Sequence, residues 1–179
     1  MVDHDLLARL EALEPIALST QAFRHVAHDH HPLSGAGARL HGGRWNPPGS
    51  FSTLYLGLDR HTTVNEFFRL VARQGRMPED FLPRRMYTYE VVLNSVLDLR
   101  DPAARAAAEL SDSELGANDA ARCRQIGASA HYLGLEAVLA PSAAGEGTVL
   151  AVFFDLLRAD SQVRDVAWEP WIVPPPLTP

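Results

Sequence analysis

Residues 35–70 read GAGARLHGGRWNPPGSFSTLYLGLDRHTTVNEFFRL, and three textures follow one another along this stretch. The first is loop. Residues 27–50 hold five of the twelve glycines and three of the thirteen prolines, and a loop this long inside a compact domain is more often functional than idle. The second is strand: Ser52–Leu58 is apolar and compact, with Tyr55, Gly57 and Asp59 on one face and Leu54, Leu56 and Leu58 on the other. The third is helix, Asp59–Gln74, with Val64, Phe67, Phe68 and Val71 at helical spacing. Loop, buried strand and amphipathic helix in direct succession set the local architecture.

Outward from this stretch the pattern stays mixed. A short helix is expected over Asp5–Leu13, stopped by Pro15, and a strand region over Ile16–Val26. After the connection 75–83, Arg85–Leu99 reads as one or two strands. Pro102–Leu110 and Asp119–Leu133 read as helices, the second ended by Gly134. Glu136–Ala140 and Thr148–Leu156 read as apolar strands around the loop PSAAGEG, and the proline-rich tail WEPWIVPPPLTP as extended chain. Strands and short helices mix without regular alternation, so the expected class is α+β. No internal repeat is present, and 179 residues fit one domain, taken as 1–179.

Composition narrows the function. The formal net charge is −6, which argues against direct nucleic-acid binding through phosphate neutralisation. The one cysteine, Cys123, excludes an internal disulfide and every multi-cysteine zinc pattern. The longest apolar run, Thr148–Phe154, is too short for a membrane helix, and the acidic N-terminus does not read as a secretory signal. A cytoplasmic location is expected. Five histidines, His25, His28, His30, His31 and His41, crowd into the loop region. They lack HExxH spacing, and no metal site is assigned to them.

The polar residues of the loop are the first candidates for chemistry. Arg24, Arg39, Arg44 and Asn46 lie in or beside it. Arginine binds phosphate or carboxylate through a charged two-pronged donor, and Gly42–Gly43 lets a ligand approach the backbone. An anion-binding loop and a surface turn with solvated arginines both fit this spacing. Tyr55 fits a core aromatic or a platform for a flat ring. Glu66 fits an acid/base or charge-stabilising carboxylate, a partner for Arg69, or the end of a capping box, Thr63-Val-Asn-Glu66. Ser142, after a strand and Pro141, lacks the glycines of a nucleophile elbow but can bond a ligand. Trp168 and Trp171 fit core packing, tail docking or partner contact.

Read in order, Arg24 in FRHV, LSGAGARLHGGRWNPPG, LYLGLDRHTTVNEFFR and VLAPSAAGEG resemble the RES-domain family from about Phe23 to Phe154. That family supplies the toxin of bacterial RES–Xre toxin–antitoxin pairs. The resemblance implies a single domain similar to ADP-ribosyltransferase toxins. It also implies cleavage of NAD at the nicotinamide–ribose bond, with ADP-ribose passed to phosphate, water or a protein. It implies catalytic roles for Arg44, Tyr55 and Glu66 and NAD binding by Arg24, Arg39, Asn46 and Ser142. NAD is then substrate, with no tightly bound cofactor and no metal. A cognate Xre-type antitoxin is implied as partner and carries the DNA contact, and a homo-oligomer within that complex is compatible with it. A module that keeps the fold without the activity is the competing reading. One departure stands out: many members carry an asparagine shortly after the serine, where this chain reads Gly145-Glu-Gly-Thr148.

Overall fold

The computed structural model describes residues 3–172 and 174. In chain order the elements are α1 (His4–Glu11), β1 (Ile16–Ala27), α2 (Ala36–His41), β2 (Thr53–Gly57), α3 (Arg60–Gln74) and β3 (Arg84–Asp98). They continue with α4 (Pro102–Ala107), α5 (Asp112–Gly116), α6 (Ala121–Tyr132), β4 (Ala137–Pro141), β5 (Thr148–Phe153) and β6 (Gln162–Trp171). The mixed class expected from the pattern is the class observed.

The strands form one sheet in the order β1-β2-β5-β4-β3-β6, and a further pairing of β1 with β3 closes the first five into a ring. The long β3 makes this closure. Its residues 84–96 pair with β1, 84–92 with β6, and its end, Val96–Asp98, runs parallel to β4. A parallel neighbour needs a long crossover, and residues 99–136 supply it with α4, α5 and α6. The ring is unevenly sealed. β2 pairs with β5 over all five of its residues, from Thr53↔Phe153 to Gly57↔Val149. Toward β1 a single pair, Phe23↔Gly57, joins it.

Alternation along the strands sorts two cores. Leu54, Leu56, Ala137, Leu139, Leu150 and Val152 pack with Tyr89, Val91 and Leu93 as the lining of the ring. The intervening Val138, Ala140, Ala151 and Phe153 face Leu6, Leu10, Cys123, Ile126 and Ala130 of α1 and α6. β4 and β5 are thus apolar on both faces, which is why they read as continuous runs in the sequence. A third cluster joins Val64, Phe67 and Val71 of α3 to Met86 and Trp171.

Arg84–Asp98 is a single strand, one of the two alternatives expected. Three elements differ from expectation. α2 is a six-residue helix within the stretch read as loop. α5 is a five-residue helix that no periodicity announced; it carries its own capping box, Ser111 with Glu114. β6 begins at Gln162, in a stretch to which the sequence pattern assigns no element, because this edge strand is mostly exposed and has no apolar alternation to betray it. Trp171 is buried at the end of β6, whereas Trp168 is 54% exposed. The last part of the proline-rich tail, 173 and 175–179, lies outside the described residues. No helix among the described residues is long and apolar enough to cross a membrane.

Candidate active site

A cavity of about 440 Å³ opens where β1 and β2 part. β1 gives it Phe23, Arg24 and His25; β2 gives Thr53, Tyr55, Leu56 and Gly57. Gly43, Arg44 and Trp45 close it from the loop, and α3 contributes Glu66, Arg69, Leu70 and Arg73. These α3 positions follow i, i+3, i+4, i+7, one stripe of a helix. Five arginines, Arg24, Arg44, Arg69, Arg73 and Arg84, line the space against one carboxylate, Glu66. Such a wall favours an anionic ligand.

Glu66 is not a helix cap. The N-cap of α3 is Asp59, whose carboxylate accepts from the Thr62 amide (2.6 Å) and hydroxyl (2.7 Å). That leaves Glu66, nearly two turns in, to face the cavity. Its Oε1 accepts from the Ser142 hydroxyl at 2.7 Å, and the same hydroxyl accepts from the Ala144 amide at 3.0 Å. Two contacts fix the hydroxyl, so the hydroxyl fixes one carboxylate oxygen. Nor does Arg69 pair with Glu66: it donates to the carbonyls of Ala143 (2.6 Å), Gly116 (3.1 Å) and Ala117 (3.3 Å).

Tyr55 turns its ring to the cavity while its hydroxyl is held at the back. The hydroxyl donates to Asn46 Oδ1 and accepts from the Trp45 amide, both at 2.8 Å. Burial pushes this phenol's pKa far up, so it stays protonated. The space beside it depends on Gly43, where an added Cβ would sit 2.3 Å from the tyrosine oxygen. What approaches the Gly43 backbone is therefore this side chain, while Gly42 faces the Pro48 ring. Asn46 is fully buried, donates to the Ala38 carbonyl at 2.8 Å and serves as the tyrosine's anchor rather than as cavity wall.

The arginines divide. Arg24 donates to the carbonyls of Pro32 (2.8 Å) and Ser34 (3.0 Å), which ties the long loop to β1. Arg44 donates to the carbonyls of Leu115 (2.7 Å), in the last turn of α5, and Ala117 (2.8 Å), just beyond it. Arg39 is exposed on α2 and is not among the residues that line the cavity. Ser142 donates to Glu66 and is likewise not among the residues that line the cavity. In the departing stretch, Gly145, Glu146 and Gly147 are exposed.

Several cavity residues escaped the sequence reading. Arg69 and Arg73 were legible, since their spacing from Glu66 marks one helical stripe. His25 and Arg84 were not: they meet because β1 and β3 pair in a register that sets Ala27 opposite Arg84. Arg84 Nε donates to His25 Nδ1 at 2.8 Å. Burial, then Arg84 and Arg24, hold His25 well below its ordinary pKa, so it is neutral at pH 7. Burial and Arg24 lower Arg84 to about 10, still charged. Among the described residues, no three His, Cys, Asp or Glu side chains converge to hold a metal ion.

A family model, the RES domain, matches residues 21–172. The chain belongs to the RES-domain family. Its relatives include the NAD(+) phosphorylase MbcT of Mycobacterium tuberculosis and that of Mycobacterium bovis. Each is 33% identical over 154 residues, covering 85% of this chain and 83% of the relative. The RES fold is shared in three dimensions with a chain of the crystal structure of the M. tuberculosis MbcT–MbcA toxin–antitoxin complex. The TM-score is 0.90 at 28% identity, covering 96% of this chain and 94% of that one.

Proposed function

We propose that this RES-domain chain is the toxin of a toxin–antitoxin pair, a single-domain enzyme that cleaves NAD at the nicotinamide–ribose bond and passes ADP-ribose to phosphate or water. The observation that carries the reading is the cavity itself, one oriented carboxylate facing five guanidinium groups, in a relative of an NAD(+) phosphorylase. A kinship of the fold with ADP-ribosyltransferase toxins belongs to the same proposal.

The chemistry fits the wall. The bond from ribose C1′ to the nicotinamide nitrogen breaks, and its electron pair leaves with the ring, which departs neutral. Positive charge builds on the ribose, as in glycoside cleavage, and Glu66 stabilises it. An acceptor oxygen then bonds C1′: phosphate gives ADP-ribose 1-phosphate, and water gives ADP-ribose with its proton passed to solvent. Tyr55 offers its ring to the flat nicotinamide. Ser142 orients Glu66. Arg24 and Arg44 supply positive charge and hold the segments that frame the site. A neutral leaving group asks for no bound metal or cofactor. An Xre-type antitoxin that covers the site and makes the DNA contact completes the reading, in keeping with the acidic charge of this chain.

The test is NAD consumption by the purified chain, free of antitoxin, with and without inorganic phosphate. Rapid loss by wild type and none by Arg44→Ala is expected, with faster loss in phosphate. Label from NAD that ends on a protein band would move the assignment to protein ADP-ribosylation. No loss by folded protein would leave a non-catalytic module.

A further inference from the structure

Three of the five cavity arginines have both terminal nitrogens on backbone carbonyls: Arg24, Arg44 and Arg69. The other two do not. Arg84 donates only through Nε, to His25, and Arg73 has no hydrogen bond or ion pair among the described residues. The terminal nitrogens of both stay available at the cavity wall.

Arg84 is also held in place. The His25 ring that accepts from it is stacked on Trp171 (centroids 5.6 Å apart, planes 13° apart) and meets Phe67 edge-on (5.2 Å, 85°). The Arg84 guanidinium carbon lies 6.0 Å from the Phe67 ring centre. Packing on two sides fixes the imidazole, and the imidazole fixes the guanidinium plane. A partly buried cation beside a second cation, Arg24, is unfavourable until an anion arrives. Arg73 stands two helical turns beyond Glu66 on the same stripe, so the free donors belong to the wall that carries the carboxylate.

We infer that Arg73 and Arg84 are the phosphoryl-binding pair of this cavity, with His25 as the positioning residue for Arg84. The ligand class is a phosphate oxyanion, which two guanidinium groups grip through charge-assisted bonds. The inference rests on the NAD reading, which offers two sources of that oxyanion: the pyrophosphate of the dinucleotide and free inorganic phosphate.

The experiment uses the full chain with Arg73→Gln, Arg84→Gln, Arg84→Lys, His25→Leu and His25→Asn, with Arg164→Gln on exposed β6 as the charge control. NAD and phosphate are varied separately in steady-state turnover. Each Gln variant is expected to raise KM for one of the two by about 10- to 100-fold, with a smaller change in kcat. Arg84→Lys recovers part of the loss, and Arg164→Gln stays within about twofold. A raised KM for NAD names the pyrophosphate as ligand; a raised KM for phosphate names the acceptor. His25→Leu shifts the same KM as Arg84→Gln. His25→Asn, whose amide oxygen replaces Nδ1 as acceptor, restores it. Both KM values within about twofold of wild type in both Gln variants overturn the pair. In parallel, calorimetry measures inorganic pyrophosphate and phosphate binding to Glu66→Gln alone and combined with each Gln change. If the chain consumes no NAD, the functional reading fails while this arm still decides: binding lost with Arg73 or Arg84 keeps the pair, and unchanged or absent binding ends it. Arg73 is exposed, so its variant carries the test even where Arg84→Gln does not fold.

Discussion

The two edges of β2 make a controlled comparison within one strand. Toward β5 every residue is paired, the flanking strands are buried, and apolar side chains fill both faces. Toward β1 a single residue pair holds the ladder, and the cavity occupies the parting. The zipped edge satisfies backbone groups and buries apolar area, the main sources of stability. The parted edge forgoes both and gathers cations instead. Stability and chemistry should therefore separate experimentally across a strand only five residues long.

Two carboxylates give the sharpest way to break that separation. Glu66 stands at the open edge on one serine. Glu136 is fully buried just before β4, where its oxygens accept from the backbone amides of Asn94 (2.7 Å), Ser95 (2.8 Å) and Arg158 (2.9 Å). Glu66→Gln keeps an acceptor for Ser142 but removes the charge. NAD turnover is expected to fall about 1000-fold or more, equivalent to about 4 kcal/mol of barrier, with the melting midpoint within a few degrees of wild type. An equally large loss of stability would show that the open edge also carries the fold.

Glu136→Gln is the converse. Burial alone would raise the pKa of Glu136, but the amide hydrogen bonds outweigh it and hold the carboxyl below its usual range. The charged form is thus the one the fold prefers. Glutamine leaves part of this arrangement unmatched, for an expected loss of about 3 kcal/mol in denaturant unfolding. The stability from Glu136 is full above the ordinary carboxylate pKa and is lost as pH falls through its lowered folded value. The variant should therefore show a flatter acid limb and near-normal KM for NAD below its unfolding transition. A KM that collapses with stability would join the two edges.

The same contrast explains what the sequence disclosed. β4 and β5 were legible because double-sided burial writes continuous apolar runs, and α3 because its core face repeats at helical spacing. β6 was hidden because an exposed edge strand needs no apolar pattern, and α5 because five residues are too few to show a period. At the site, Arg44, Tyr55 and Glu66 stood out in the loop–strand–helix succession. The spacing left Glu66 balanced between cap and cavity until Asp59 proved to be the cap. Arg39 looked equivalent to Arg44, but one is exposed on a short helix and the other reaches across to the C-terminal end of α5. His25 and Arg84 were illegible in principle: strand register, not chain proximity, joins them.

His25 sits where the comparison is finest, since it lines the open edge yet is packed like a core residue between Phe67 and Trp171. Its folded form is neutral, with burial the first cause and the Arg84 and Arg24 charges next. The depressed pKa fixes the sign: between the folded and unfolded pKa values the unfolded chain binds the extra proton. Stability is therefore full above about pH 6.5, the ordinary histidine value, and declines as pH falls below it. The decline from this residue reaches at most about 2 kcal/mol at pH 5. His25→Asn keeps an acceptor for Arg84 but cannot take up that proton, so its denaturant midpoint should change less than wild type between pH 7 and 5. Parallel curves for the two proteins would mean that His25 protonates as readily in the fold as outside it. That outcome would remove it from the packed side of the comparison and return it to the open one.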